Sequence, residues 1–213
     1  MSDLHRRRVR TSQKRGETIP LRTTYSLVKF CATVLAALLS LAAASSIRAQ
    51  AGTSVEYQIK AAFLFNFAKF VDWPPDAFPS DKSPITLCVF RHDPFGSALD
   101  EIIQGKTINN RAILARRTNE LPDLKPCQLV FVDKEADKGL SDVLNSLKGT
   151  SALVVGESEG FAERGGGIQF FLEDNKLRFA INVDAIQRAR LNVSSKLLAL
   201  ARIVHSRENP KGS

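Results

Sequence analysis

The chain has 213 residues, 44% hydrophobic and 24% charged, a balance that excludes a disordered or fibrous protein and fits one globular domain with terminal segments. A formal charge of +8 invites a nucleic-acid reading, but its distribution excludes one: residues 1–51 hold nine Lys and Arg against two acids, a net +7, and the remainder is +1. A nearly neutral body lacks the field that drives phosphate binding.

The basic leader reads as an export signal. The basic region ahead of the apolar run ends at Lys29, and Phe30–Ala44 forms an apolar run too short for a comfortable bilayer span. Ala49-Gln50-Ala51 supplies the small residues of a cleavage site, so residues 1–51 are expected to be removed before Gly52. An uncleaved anchor is the alternative. Cleavage takes away Cys31 and leaves Cys88 and Cys127. An even pair in an oxidising compartment suggests a disulfide; two buried free thiols are the other reading.

Apolar residues Ile59, Phe63, Phe67, Phe70 and Val71 recur at helical spacing, predicting a helix over Val55–Val71 that Asp72-Trp73-Pro74-Pro75 terminates. Ile85–Phe90 reads as a strand. Asp93 as N-cap with Pro94 at the first helical position predicts a helix to about Gln104, stopped by Gly105. Lys106–Ile108 and Arg111–Arg116 read as a strand pair around Asn109-Asn110, and Gln128–Val132 as a buried strand. Lys138–Leu147 is an amphipathic helix, Ala152–Val155 a strand, and Gly165-Gly166-Gly167 a turn. Ile168–Leu172 and Leu177–Asn182 flank Asp174-Asn175 as a hairpin. Val183–Val204 reads as helix, broken near Asn192, before a frayed tail at 206–213. The alternation predicts an α/β domain over 52–205: a three-layer α/β/α sandwich with a mostly parallel sheet and a C-terminal antiparallel hairpin at one edge.

One segment suggests an enzyme. Gly156-Glu157-Ser158-Glu159-Gly160 matches the G-x-S-x-G pattern after a buried strand, and Asp184 and His205 follow in the order of a hydrolase triad. Against it, the three glycines leave no room for the long helix a nucleophile elbow needs, and Glu157 and Glu159 would oppose a developing oxyanion. His92 reads as a surface-loop histidine, and no Cys or His cluster has metal-ligand spacing. The helix start at Pro94 offers free amides to an anion, but capping by Asp93 is the simpler reading. Phe65 and Trp73 fall off the apolar stripe and are candidate partner contacts, as are Arg188 and Arg190. A binding role, to a protein or to a small molecule, therefore outranks catalysis, and no cofactor is expected.

Several stretches resemble a known family. Ile59-Lys60-Ala61-Ala62-Phe63-Leu64-Phe65-Asn66-Phe67-Ala68-Lys69-Phe70-Val71-Asp72-Trp73-Pro74 resembles the opening of the YfiR family of periplasmic proteins. Asp93-Pro94-Phe95-Gly96, Gly160-Phe161, Ile181-Asn182-Val183-Asp184-Ala185 and Ser194-Ser195-Lys196-Leu197-Leu198 match its later signatures. The resemblance implies a periplasmic three-layer domain, often dimeric, that regulates rather than catalyses. In the best-known member it implies repression of a membrane diguanylate cyclase through that enzyme's periplasmic domain, relieved by an outer-membrane lipoprotein, with consequences for cyclic-di-GMP and biofilm growth. It also implies that Cys88 and Cys127 are paired, while a second disulfide of that member has no counterpart here.

Overall fold

The computed structural model describes residues 55–207; the leader with its cleavage point, and the tail from 208, lie outside them. Helix α1 (residues 55–70) opens the domain. Its buried stripe is Ala61, Leu64, Phe67 and Ala68, each 0% exposed. The stripe is thus turned from the expected one: Ile59 stands in solvent, and Phe63 and Phe70 are half-buried against the core. Phe63 still meets the rings of Phe170 and Phe179 at 5.9 and 5.7 Å. The helix stops one residue earlier than expected, because Val71–Asp72 (β1) straightens to pair antiparallel with Asn192–Val193 (β9) ahead of the two prolines.

Eight strands form the main sheet: β2 (Ile85–Phe90), β3 (Thr107–Ile108), β4 (Arg111–Thr118), β5 (Leu129–Val132), β6 (Leu153–Gly156), β7 (Ile168–Glu173), β8 (Lys176–Asn182) and β10 (Arg202–Val204). Their order is β10-β8-β7-β6-β5-β2-β4-β3. The five from β4 to β7 are mutually parallel. Numbered along the chain they run 2-1-3-4-5, a doubly wound order. Strands β2, β5 and β6 are buried on both faces, as parallel strands between helices must be. Leu87, Val89, Phe131 and Val155 face α1 and α2 (Ala98–Ile103), while Cys88, Phe90, Val130 and Val154 face α3 (Leu140–Ser146). The three-layer α/β/α expectation holds.

Both hairpins form at the expected turns. Asn109 and Asn110 take φ of 49° and 63°, and Asp174 and Asn175 take 50° and 57°. These left-handed pairs match the twist of the strands they join, and Asn and Asp tolerate that region. Cys88, in β2, is bonded to Cys127, which lies just ahead of β5, across a Cα separation of 6.0 Å.

Three expectations need correction. The helix begins at Ala98, not at Pro94. Asp93 instead accepts the Phe95 amide at 2.8 Å and meets Arg117 at 2.9 Å, so the segment ahead of α2 is a loop, and the anion seat at Pro94 does not exist. The C-terminal stretch is not one broken helix. Helix α4 (Val183–Arg188) ends where Arg190 takes a φ of 55°, β9 follows, Ser194 caps the short α5 (Ser195–Leu198), and β10 closes the sheet parallel to β8. The β7–β8 hairpin is therefore one strand in from the edge. Finally, Ser206 and Arg207, expected to fray, are held: the Ser206 amide donates to Asp184 at 2.9 Å and that of Arg207 to the Glu163 carbonyl at 2.9 Å.

Candidate functional site

In doubly wound sheets ligands lie beyond the carboxyl ends of the strands where the winding reverses, here between β2 and β5. His92 follows β2, Asp133 follows β5 and Glu157 follows β6. The first turns of α1 bring Glu56, Tyr57 and Lys60 to the same end. Lys60 is 4% exposed, a burial that a lone ammonium does not survive. Its Nζ lies 2.5 Å from Glu56 and donates to the Glu157 carboxylate. The Tyr57 hydroxyl donates to the same carboxylate at 2.8 Å, and the Lys134 amide at 3.2 Å. Burial first, then the Glu157 charge, pushes the Tyr57 phenol above its ordinary range. The Tyr57 ring meets Phe95, in the loop after β2, edge-on at 5.5 Å, so the cluster fastens α1 to the loops that leave β2 and β6. Beside it the His92 Nδ1 lies 2.8 Å from one oxygen of Asp133, whose other oxygen accepts the Ala136 amide at 2.8 Å.

The hydrolase constellation is only partly assembled. His205 and Asp184 are in contact, Nδ1 to Oδ1 at 3.0 Å, on an exposed surface. Ser158 is 7% exposed, and its hydroxyl has no hydrogen-bond partner among the described residues. No helix follows it; residues 159–165 are turns. The first glycine of the motif, Gly156, and Gly166 of the glycine turn have a packing explanation. A Cβ on Gly156 or on Gly166 would overlap the ring of Phe161, which is fully buried between them. These glycines let backbone approach an aromatic ring.

The four candidate partner residues fall in different surroundings. Phe65 is half-buried with the Lys106 ammonium 4.7 Å above its ring. The Trp73 indole donates to the Gln128 carbonyl at 3.2 Å. Arg190 is exposed and pairs with Asp76 at 2.7 Å, three residues beyond Trp73, so those two share a region. Arg188 donates to Ser206 and lines a groove of about 860 Å³ at the amino end of β6. Leu144, Leu147, Val154 and Ile186 form the groove's apolar floor, and Arg164 and Arg207 join Arg188 on its rim.

Residues that sequence reasoning missed lie at the free edge. No strand among the described residues covers the outer side of β10. Ile203, on β10, is 46% exposed, Leu200, in the turn before it, 71%, and Leu172, on β7, 60%. The signal was present as apolar residues on a segment read as helix; only the strand assignment puts Ile203 on an unpaired edge strand with Leu200 just ahead of it.

No described helix is long and apolar enough to cross a membrane. Among curated proteins, none matches the chain in sequence. Solved structures with partial likeness include a conserved domain protein from Vibrio cholerae O1 biovar El Tor, at 9% identity and a TM-score of 0.43, with 56% of this chain and 54% of that one covered. Another is an ABC domain in complex with L-Trp from Streptococcus pneumonia, at 9% identity and a TM-score of 0.41, with coverage of 61% and 58%. The chain thus spans little more than half the length of either. The model of the YfiR/HmsC-like family matches residues 57–202, from the Tyr57 cluster to β10, and the chain belongs to that family.

Proposed function

We propose that the protein is a periplasmic regulator of cyclic-di-GMP signalling that represses a membrane diguanylate cyclase, or a related sensor, by binding its periplasmic domain. The observation that carries this reading is the edge of β10. A short edge strand that carries Ile203, 46% exposed, and follows a turn with Leu200, 71% exposed, is a surface suited to receive a protein segment. Family membership over 57–202 supports it, as does the lack of a hydrogen bond between the Ser158 hydroxyl and the Asp184–His205 pair. A rigid domain acts on a two-state sensor only by binding one state better than the other. A preference of about 3 kcal/mol shifts such a sensor by roughly two orders of magnitude. The export signal and the Cys88–Cys127 bond fit an oxidising compartment. An outer-membrane lipoprotein that competes for the same surface, and a homodimer, are further proposals of the family resemblance.

Deleting the gene and measuring cellular cyclic-di-GMP tests the reading. The expected result is a rise that the wild-type gene and Ser158→Ala both reverse. An unchanged level, or failure of Ser158→Ala alone, would overturn it, the latter in favour of the hydrolase. The 860 Å³ groove favours one second reading, a small-molecule binder, since its volume and mixed lining suit a ligand.

A further inference from the structure

We infer that His92, Asp133 and Glu135 form a site for a divalent metal ion of the zinc class at the carboxyl ends of β2 and β5. One ligand atom from each residue lies within 4.8 Å of the other two. Tetrahedral zinc bonds to nitrogen and oxygen of about 2.0–2.2 Å place neighbouring ligand atoms roughly 3.3–3.6 Å apart. His92 Nδ1 and Asp133, in hydrogen-bond contact at 2.8 Å, reach that spacing by opening about half an ångström. His92 and Glu135 are exposed, so their side chains are free to rotate inward, while Asp133 is fixed by the Ala136 amide on its other oxygen.

The charge balance points the same way. The Asp133 side chain is 3% exposed, and its one ion-pair contact among the described residues is with the imidazole of His92. Two cations at this end of the sheet are engaged elsewhere, while Lys134, next in the chain, is exposed. Lys60 is held by Glu56 and Glu157, and Arg91 lies over the ring of Phe90 at 4.9 Å. A buried carboxylate whose side-chain contacts among the described residues are one imidazole and one backbone amide favours a cation. Imidazole with two carboxylates suits zinc over magnesium or calcium, which take oxygen alone, and the absence of a thiolate disfavours copper(I). Three protein ligands leave a coordination position for water or for a group from a partner. An ion here would tie the loop after β2 to the loop after β5 across the point where the winding reverses. The site is independent of the repression reading, and failure of one leaves the other standing.

Calorimetric titration with zinc chloride tests it, using protein produced from the full-length gene without a histidine tag. The wild type is expected to bind one ion per chain. His92→Ala and Glu135→Gln are each expected to weaken binding roughly tenfold or more, and His205→Ala to leave it unchanged. Both site residues are exposed, and unchanged circular dichroism spectra are expected to show that the variants fold. No binding by the wild type would overturn the proposal. So would wild-type affinity in both site variants, or loss of binding in His205→Ala.

Discussion

At the scale of single residues, the buried Lys60 carries more of the fold than its charge suggests. Its ammonium stands between Glu56 and Glu157, and the Glu157 side chain is itself only 8% exposed. Removing the cation alone strands a buried carboxylate. Lys60→Met is therefore expected to cost about 3–5 kcal/mol in urea unfolding, with Glu157→Gln added to it recovering part of the loss. The Lys60 side chain read from sequence as one polar residue on a helix; nothing in the periodicity showed that residue 157 would arrive beside it. The glycines around Phe161 yield a second expectation. Gly166→Ala forces a methyl group against the ring and is expected to destabilise by about 1–3 kcal/mol, measured the same way, with no loss of binding. The G-x-S-x-G match was legible as a pattern, but its meaning was not, because the partner of Gly156 is a ring five residues on.

Among the elements, turn chemistry was legible and edges were not. Asn109-Asn110 and Asp174-Asn175 announce left-handed turns from sequence alone, and the hairpins formed where they stand. The apolar runs of β2, β5 and β6 likewise read correctly, because burial on both faces leaves few polar residues in them. Asp93-Pro94 misled because an N-cap signal and an Asx-turn share the same residues, and Arg117 stabilises the latter. Arg202–Val204 misled because three residues are too few to establish a period of two against the helical context before them. The covalent link between Cys88 and the entry to β5 spans 39 residues. Replacing both cysteines by Ala is expected to cost about 4 kcal/mol in the chain-entropy model, seen as an earlier urea midpoint that matches the reduced wild type.

For the molecule as a whole, the last described residues are fastened by an acid-sensitive latch. The Ser206 amide and then His205 hold the Asp184 carboxyl below the ordinary carboxylate range. A lowered folded pKa means that the stabilisation is complete at neutral pH and is lost as pH falls through that lowered value. Faster hydrogen exchange at Ser206 in strong acid, ahead of exchange in β5 and β6, is the expected outcome. The three-layer fold was legible in the sequence; the surface was less so. Phe65, Trp73, Arg188 and Arg190 lie on several faces, and the apolar edge at Leu200 and Ile203 emerged only once the last strand had a place. Side chains on that edge touch little of their own protein, so Leu200→Asp with Ile203→Asp is expected to change stability by less than about 1 kcal/mol. Crosslinked capture of this double variant from intact cells, read together with cellular cyclic-di-GMP, bears most directly on regulation by surface contact. The account predicts that the wild type recovers a membrane cyclase or sensor, and that the folded variant recovers none and raises cyclic-di-GMP to the level of the gene deletion. A folded variant that still represses fully, or a wild type that recovers no membrane sensor, would contradict it.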